Sequence, residues 1–327
     1  MNYEIFKLNF KTAVHFGEAG VLDVTSSSFM ADTLFSALFI EALKLNLHEK
    51  FYDYVKNHQL NFSDAFPFND KVYFLPKPLK FLPKTEAKVT DLKDRKLLKK
   101  IKFIPCEMFD SFVNGDIDPK EIPKTDFFKT HVQTRVAIRH DGLDESTNSS
   151  SLSSDNTSND ARPYRVGFCN FRKGTGLYVI VGYNNEEVFS LIKLLFKSLQ
   201  FSGIGGKRTS GFGKFTVEID NECKVIKELL QRKSSSYMTL SICSPLENEL
   251  QKVIENSSYT IVKRSGFVQS EKYAQEQRRK LNKYLFASGS CFKCYFDGEI
   301  INVSSKTDSH NVYRYAIPMF IGVDFEK

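Results

Sequence analysis

The sequence predicts an α+β chain: tandem ferredoxin-like (RRM-like) domains, the first with a long inserted β-hairpin. Three observations carry this. Patterned segments of the first part follow in the order β, α, β, insertion, β, α, β, which is the ferredoxin-like order. Five of the 17 glycines fall within Gly203-Ile204-Gly205-Gly206-Lys207-Arg208-Thr209-Ser210-Gly211-Phe212-Gly213, between a helical and a strand pattern. Between the second and third strands lies a long expansion, about residues 76–171, holding one strongly alternating piece and one almost wholly polar one.

The first strand is read at residues 3–10, where apolar residues alternate with a phase shift between Ile5 and Phe6. Ser26 to Ser28 offer a cap for a helix with Met30, Ala31, Leu34, Phe35, Leu38, Phe39, Ala42 and Leu45 on one side. Residues 71–75 read as the second strand and 177–183 as the third. The second helix, 186–201, repeats Val188, Leu191, Ile192, Leu195, Phe196 and Leu199 at helical spacing, with Asn184 or Asn185 as its cap and Gly203 as its stop. Phe215, Val217 and Ile219 alternate as the last strand.

Inside the expansion, Val132, Thr134, Val136 and Ile138 share one strand face; His131, Gln133, Arg135, Ala137 and Arg139 share the other. A partner strand is read at 164–171. Residues 144–160 between them are Ser, Asn, Asp and Thr, too polar to bury a core, and are expected to be disordered. The basic face suits an RNA backbone or, equally simply, solvent. A second domain is expected from residue 236, with a strand at 237–243, a helix capped by Ser244-Pro245-Leu246-Glu247, and strands at 291–296 and 299–303.

The glycine run has the chemistry of an anion site. Glycine permits positive φ, so successive N–H groups can point into one concavity, and Lys207 and Arg208 add full charge. The alternative is a relaxed turn with two solvated cations. It is not a Walker A loop, since Phe201 and Arg208 stand where a glycine and a Ser/Thr are needed. A dinucleotide fingerprint fails because the order is helix, then strand.

With 41% hydrophobic and 26% charged residues, the chain has an ordinary globular composition, and its net charge of +7 is compatible with a polyanion partner. No apolar run spans a membrane and no secretory leader is visible, so a cytoplasmic protein is expected. The six cysteines read as structural thiols, because Cys291 and Cys294 lack a second ligand pair. No histidine pair has metal spacing, so neither metal nor cofactor is expected. A lone His15 after a strand serves packing or RNA contact more often than catalysis.

Taken in order, several motifs resemble one family. These are Val14-His15-Phe16-Gly17-Glu18, Asp32 to Leu38, Thr134-Arg135-Val136-Ala137-Ile138, Gly203 to Gly213, Lys263-Arg264-Ser265-Gly266-Phe267-Val268, and Tyr313 to Pro318. The chain is similar to the fourth-subunit family of Csm (type III-A) CRISPR effector complexes, in the Cas-five group of the RAMP superfamily. The resemblance implies a non-catalytic subunit. It would hold the 5′ repeat-derived tag of the crRNA, join the large polymerase-like subunit to a backbone subunit, and touch target RNA near the tag through the hairpin, or thumb. On that reading RNA is bound by Gly205, Gly206, Lys207, Arg208, Thr209, Ser210, Gly211 and Gly213 in the loop. Further contacts are assigned to His15, Arg135, Val136, Ile138, Arg139, Lys263 and Arg264.

The domains are then 1–235 and 236–327. Backbone subunits of such complexes cut RNA with an aspartate before their first helix; Asp32 lies nearby, but helix-start electrostatics account for it. Two rival readings are a metal-independent RAMP endoribonuclease using His15 and a free-standing RNA-binding module.

Overall fold

The computed structural model describes residues 1–18, 21–79, 92–123, 126–137, 162–220, 223–268, 278–305 and 310–325. Ile138, Arg139 and the 144–160 tract lie outside these residues.

Strand β1 is Asn2–Phe10. The apparent phase shift in its pattern has a simple cause: both faces of the strand are covered. Phe6 and Leu8 are buried on one side and Ile5 on the other. Phe16–Glu18 (β2) and Val21–Ser26 (β3) form a small hairpin. Helices α1 (Ala31–Lys44) and α2 (His48–Lys56) follow. Then come three short strands, β4 (Leu60–Phe62), β5 (Phe66–Asn69) and β6 (Val72–Pro76). The expansion contains α3 (Leu92–Lys100), β7 (Phe103–Pro105) and α4 (Phe109–Val113), then β8 (Phe128–Ala137) and β9 (Arg162–Phe171). The unit closes with β10 (Thr175–Tyr183), α5 (Glu186–Ser202), β11 (Phe215–Asp220) and α6 (Lys224–Gln231).

Seven of these strands make one antiparallel sheet in the order β11-β1-β10-β5-β6-β7, with β4 also paired to β10. The expected second strand is therefore displaced. Residues 60–69 sit beside β10, and Val72–Pro76 lies one place farther out. Asp64 and Pro67 interrupt this stretch, so no alternation was visible in it. The expansion also does not leave the sheet at once, because β7 extends it by pairing with β6.

Helices α1 and α5 cover one face, packing Leu34, Leu38, Leu195 and Leu199 on Phe6, Leu8, Val179 and Val181. The other face buries Ile5, Tyr178 and Ile180 against α6 and C-terminal strands. At the α5 start, Asn185 accepts a hydrogen bond from the Val188 N–H at 3.0 Å, and Gly203, at φ 76°, ends the helix.

The C-terminal part holds β12 (Tyr237–Thr239), α7 (Leu250–Ile254), β13 (Ile261–Arg264), β14 (Lys283–Phe286), β15 (Cys291–Phe292), β16 (Glu299–Asn302), β17 (Tyr313–Ala316) and β18 (Phe320–Gly322). Among the described residues it forms a three-stranded sheet, β15-β12-β18, and the pairs β13–β14 and β16–β17. The expected helix starts later than predicted, at Leu250. Glu249 rather than Glu247 supplies the carboxylate, accepting from the Leu246 N–H at 3.2 Å. Leu250 and Ile254 stay exposed, and only Val253 is buried.

Asp64 stitches the two parts together. Its Oδ1 accepts the Ala31 N–H at 2.8 Å and the Ile242 N–H at 2.9 Å. It thus takes over the start of α1, where the Ser26–Ser28 cap was expected and no side chain of the flanking residues caps. Burial pushes its carboxyl up to about 6, against the pull of these N–H groups and the Ser288 hydroxyl. A carboxyl whose folded pKa is raised stabilises the fold most below its unfolded pKa, and that advantage is lost as pH rises through about 6. Asp64→Asn keeps an acceptor oxygen but cannot ionise. Its urea-unfolding free energy is expected to match the native protein near pH 4 and to exceed it by on the order of 3 kcal/mol at pH 8. A difference independent of pH would show that Asp64 does not titrate in the fold.

Candidate nucleic-acid interface

The glycine loop is a folded object. Ile204 plugs into the core, and its N–H donates to the Gly213 carbonyl at 3.0 Å. Lys207 takes the left-handed conformation (φ 58°) and starts a single 3₁₀ turn, Arg208–Ser210, closed by Gly211 at φ 85°. Most of its backbone donors are committed. Gly206 donates to the His15 carbonyl and Gly213 to that of Ala13, both at 2.8 Å. Ser210, Gly211 and Phe212 donate within the turn. Among the described residues, the N–H groups of Gly205, Lys207, Arg208 and Thr209 take no partner. Of the eight loop residues assigned to RNA, the cradle thus keeps these four backbone donors plus the two side-chain charges.

Gly205, Gly206 and Gly213 serve packing, Gly205 because a Cβ there would stand 2.8 Å from the His15 carbonyl oxygen. A Cβ at Gly213 would stand 2.1 Å from the Ile204 carbonyl oxygen, and one at Gly206 would stand 2.8 Å from the His15 ring. At Gly211 a Cβ would meet nothing within 4 Å, so only its φ calls for glycine.

The inserted strands β8 and β9 pair in full register, and one of their faces turns to this loop. On it the cross-strand pairs are His131 with Phe168, Gln133 with Val166, and Arg135 with Tyr164. The His131 ring stacks on Phe168 at 5.3 Å, and Phe168 meets Phe212 of the loop at 5.6 Å. The Arg135 guanidinium lies over Phe212 at 5.3 Å, and Lys207 Nζ lies 5.1 Å from the Tyr164 ring centroid. The cations are therefore oriented by aromatic faces, which hold them without cancelling their charge. Among the described residues Arg135, Lys207 and Arg208 have no carboxylate within salt-bridge distance. Thr209 and Ser210 are exposed at the tip. Val136, 54% exposed, stands on the opposite hairpin face.

His15 and Arg264 sit differently from a surface contact. His15 is buried, and its Nδ1–H donates to the Gly167 carbonyl of β9 at 2.6 Å. Arg264 grips Asp32 with two hydrogen bonds, 2.9 and 2.8 Å, while Arg314 takes the same carboxylate at 2.6 Å. Burial alone would raise the Asp32 carboxyl, but Arg264, Arg314 and Lys280 hold it below the usual carboxylate range. Lys263 stays exposed, opposite Tyr284 on the β13–β14 ribbon. A buried aromatic path links the two regions. A Cβ at Gly205 would stand 3.1 Å from the Phe16 ring, Phe16 packs edge-on to Phe29 at 5.2 Å, and Phe29 leads into the helix that carries Asp32.

The sequence reading missed the aromatic half of this surface. Tyr164 and Phe168 alternate with Val166 along β9, and that period was the available signal. All six cysteines are free thiols, and among the described residues no three potential ligands cluster for a metal. No helix among the described residues is long and apolar enough to cross a membrane.

The RAMP superfamily matches residues 53–216, which include the hairpin and the glycine loop, and the CRISPR Csm4 C-terminal domain matches residues 232–323. A CRISPR system Cms protein Csm4 from Mycobacterium tuberculosis is 34% identical over 323 residues, covering 99% of this chain and 98% of that one. The protein of the same name from Streptococcus thermophilus is 33% identical over 331 residues, covering 99% and 100%. The chain belongs to the Csm4 family of type III CRISPR Csm proteins. Its fold is also similar to a chain of the Csm3–Csm4 subcomplex of the type III-A interference complex, with TM-score 0.65 and 17% identity over 97% of this chain and 98% of that one. A chain of the Csm1–Csm4 cassette in complex with pppApA gives TM-score 0.61 and 20% identity over 100% of both.

Proposed function

We propose that this chain is the non-catalytic subunit that holds the 5′ repeat-derived tag of the crRNA in a type III-A Csm effector complex, in antiviral defence in the cytoplasm. The observation that carries the reading is the single surface on which Lys207, Arg208 and four unclaimed backbone N–H groups stand beside Arg135, His131, Tyr164 and Phe168. Free N–H donors and unneutralised cations suit phosphates. Aromatic faces suit the unstacked bases of a single strand.

In this reading residues 1–235 are one ferredoxin-like domain, supported by the order β11-β1-β10-β5 with two helices on one face. Residues 236–327 are a second, degenerate one, and β8–β9 is the thumb, reaching target RNA near the tag. Relatives of this family are found in Csm1–Csm4 and Csm3–Csm4 assemblies, the ground for proposing a large polymerase-like subunit and a backbone subunit as partners.

The absence of catalysis is part of the proposal. Asp32 is enclosed by two arginines, and the His15 ring is buried with its Nε2 edge against Gly17, so neither is set up to move a proton on RNA. The isolated chain is expected to leave precursor and target RNA intact in EDTA; product formation that disappears in His15→Ala would instead favour the endoribonuclease. Photocrosslinking from tag nucleotides in the assembled complex is expected to label peptides spanning 203–213 and β9. Labelling confined to other subunits would sink the tag-holding role.

A further inference from the structure

We propose that His15 is a positioning residue, the pin that holds the inserted hairpin and the glycine loop as one rigid clamp. Its consequence for RNA rests on the function proposed above; its structural role does not.

The hairpin needs such a pin. Strands β8 and β9 form a separate two-stranded sheet outside the main one, and a lone two-stranded ribbon is marginal in water. The short segment leading into β2 is stapled on both sides. Val14 exchanges two backbone hydrogen bonds with Cys169 of β9, each 2.9 Å. Toward the loop, the carbonyls of Ala13 and His15 accept the Gly213 and Gly206 N–H groups at 2.8 Å. His15 is the residue of this segment that reaches both partners, the loop with its backbone and the hairpin with its ring.

Two glycines, Gly17 beside it in the chain and Gly206 of the loop, make room for that ring. A Cβ at Gly17 would lie 2.4 Å from Nε2, and one at Gly206 would lie 2.8 Å from Cδ2. Gly167, whose carbonyl accepts the Nδ1–H, is itself pressed against β3, where a Cβ would stand 2.3 Å from the Asp23 carbonyl oxygen. The ring thus sits in a slot shaped for a flat side chain, and the slot has one polar anchor on the hairpin side. Because a carbonyl only accepts, Nδ1 carries the proton. Asparagine can present an N–H donor near the Nδ1 position; phenylalanine fills the slot without one.

The test compares full-length His15→Phe, His15→Asn and Gly17→Ala with the native chain by amide hydrogen exchange, without RNA. In His15→Phe, exchange at Cys169 and Gly206 is expected to rise roughly tenfold as local opening becomes easier, with β1 and β10 unchanged. Gly17→Ala, at an exposed position, is expected to do the same by pushing the ring off its anchor, and it decides the matter if His15→Phe unfolds the whole chain. His15→Asn is expected to stay near native. Native exchange in Gly17→Ala would overturn the proposal, as would an Asn variant as loose as the Phe variant.

RNA affinity is read in parallel. Variants that loosen both arms yet bind tag RNA normally would leave the pin standing and remove its proposed purpose. A Lys207→Ala, Arg208→Ala chain with native RNA affinity would remove the RNA reading while leaving the exchange result untouched.

Discussion

Replacing Lys207 and Arg208 together with alanine is expected to weaken crRNA tag binding roughly 100-fold, about tenfold for each charge-assisted hydrogen bond to phosphate that is removed. Both side chains are half-exposed and neither pairs with a carboxylate among the described residues, so the native charge is available to RNA. The loss should be the same for all tag sequences, because phosphate contacts carry no base information. The salt dependence should flatten by about 0.7 units of log K per log[salt] for each single-strand phosphate no longer neutralised, or about 1.4 in all. The loop joins α5 to β11, so the thermal midpoint of the double mutant is the control, and it should move little. A valine at Gly206 is a poor companion probe, because its side chain would strike the His15 ring. Titrating tag RNA into the assembled complex across a salt series checks the prediction. Unchanged affinity and slope would reduce the loop to a structural turn.

The second large effect is expected at Asp32. Its carboxylate, 3% exposed, joins α1 to β13 through Arg264 and to β17 through Arg314, which is itself 4% exposed. Asp32→Ala leaves two guanidinium groups at least partly buried without their counter-charge. Breaking such a pair from one side costs about 3–5 kcal/mol, far more than the intact pair contributes net. Arg314 is already short of partners, since its buried Nε makes no hydrogen bond. The pH dependence has a definite sign. Asp32 has a folded pKa below its unfolded one, so its contribution is present above the unfolded value and is lost as pH falls through the folded value.

Urea unfolding of Asp32→Ala against the native chain should therefore show the full gap at pH 7 and a shrinking one only below about pH 4. A gap under about 1 kcal/mol at pH 7 would class the cluster with solvent-screened surface pairs. In the double-mutant cycle, Asp32→Ala and Arg264→Ala should be strongly non-additive. At Asp64 the slope runs the other way, so the two buried aspartates can be told apart by pH alone.

Local patterns in the sequence determined much of this protein. The helical spacing from Val188 to Leu199, the Asn185 cap and the Gly203 stop are short-range devices, and α5 lies where they place it. The alternation of residues 131–137 marked β8, and the ordered motifs from Val14 to Pro318 pointed to the family to which the chain belongs.

What the tertiary structure alone decided concerns partners distant in the chain. The α1 start is capped by Asp64, 33 residues away, because packing brings that carboxylate to the Ala31 N–H and no neighbouring hydroxyl is needed. Asp32 reads as a helix-start acid until Arg264 and Arg314, more than 230 residues on, close around it. His15 reads as a packing or RNA-contact residue, and only the fold shows its ring buried beside Gly17 and Gly206 and bonded to the Gly167 carbonyl, 152 residues away. In the glycine run, five of the nine backbone N–H groups from Gly205 to Gly213 are spent on the His15 and Ala13 carbonyls and on the turn itself. A backbone hydrogen bond leaves no mark on residue type, so that accounting exists only in the fold.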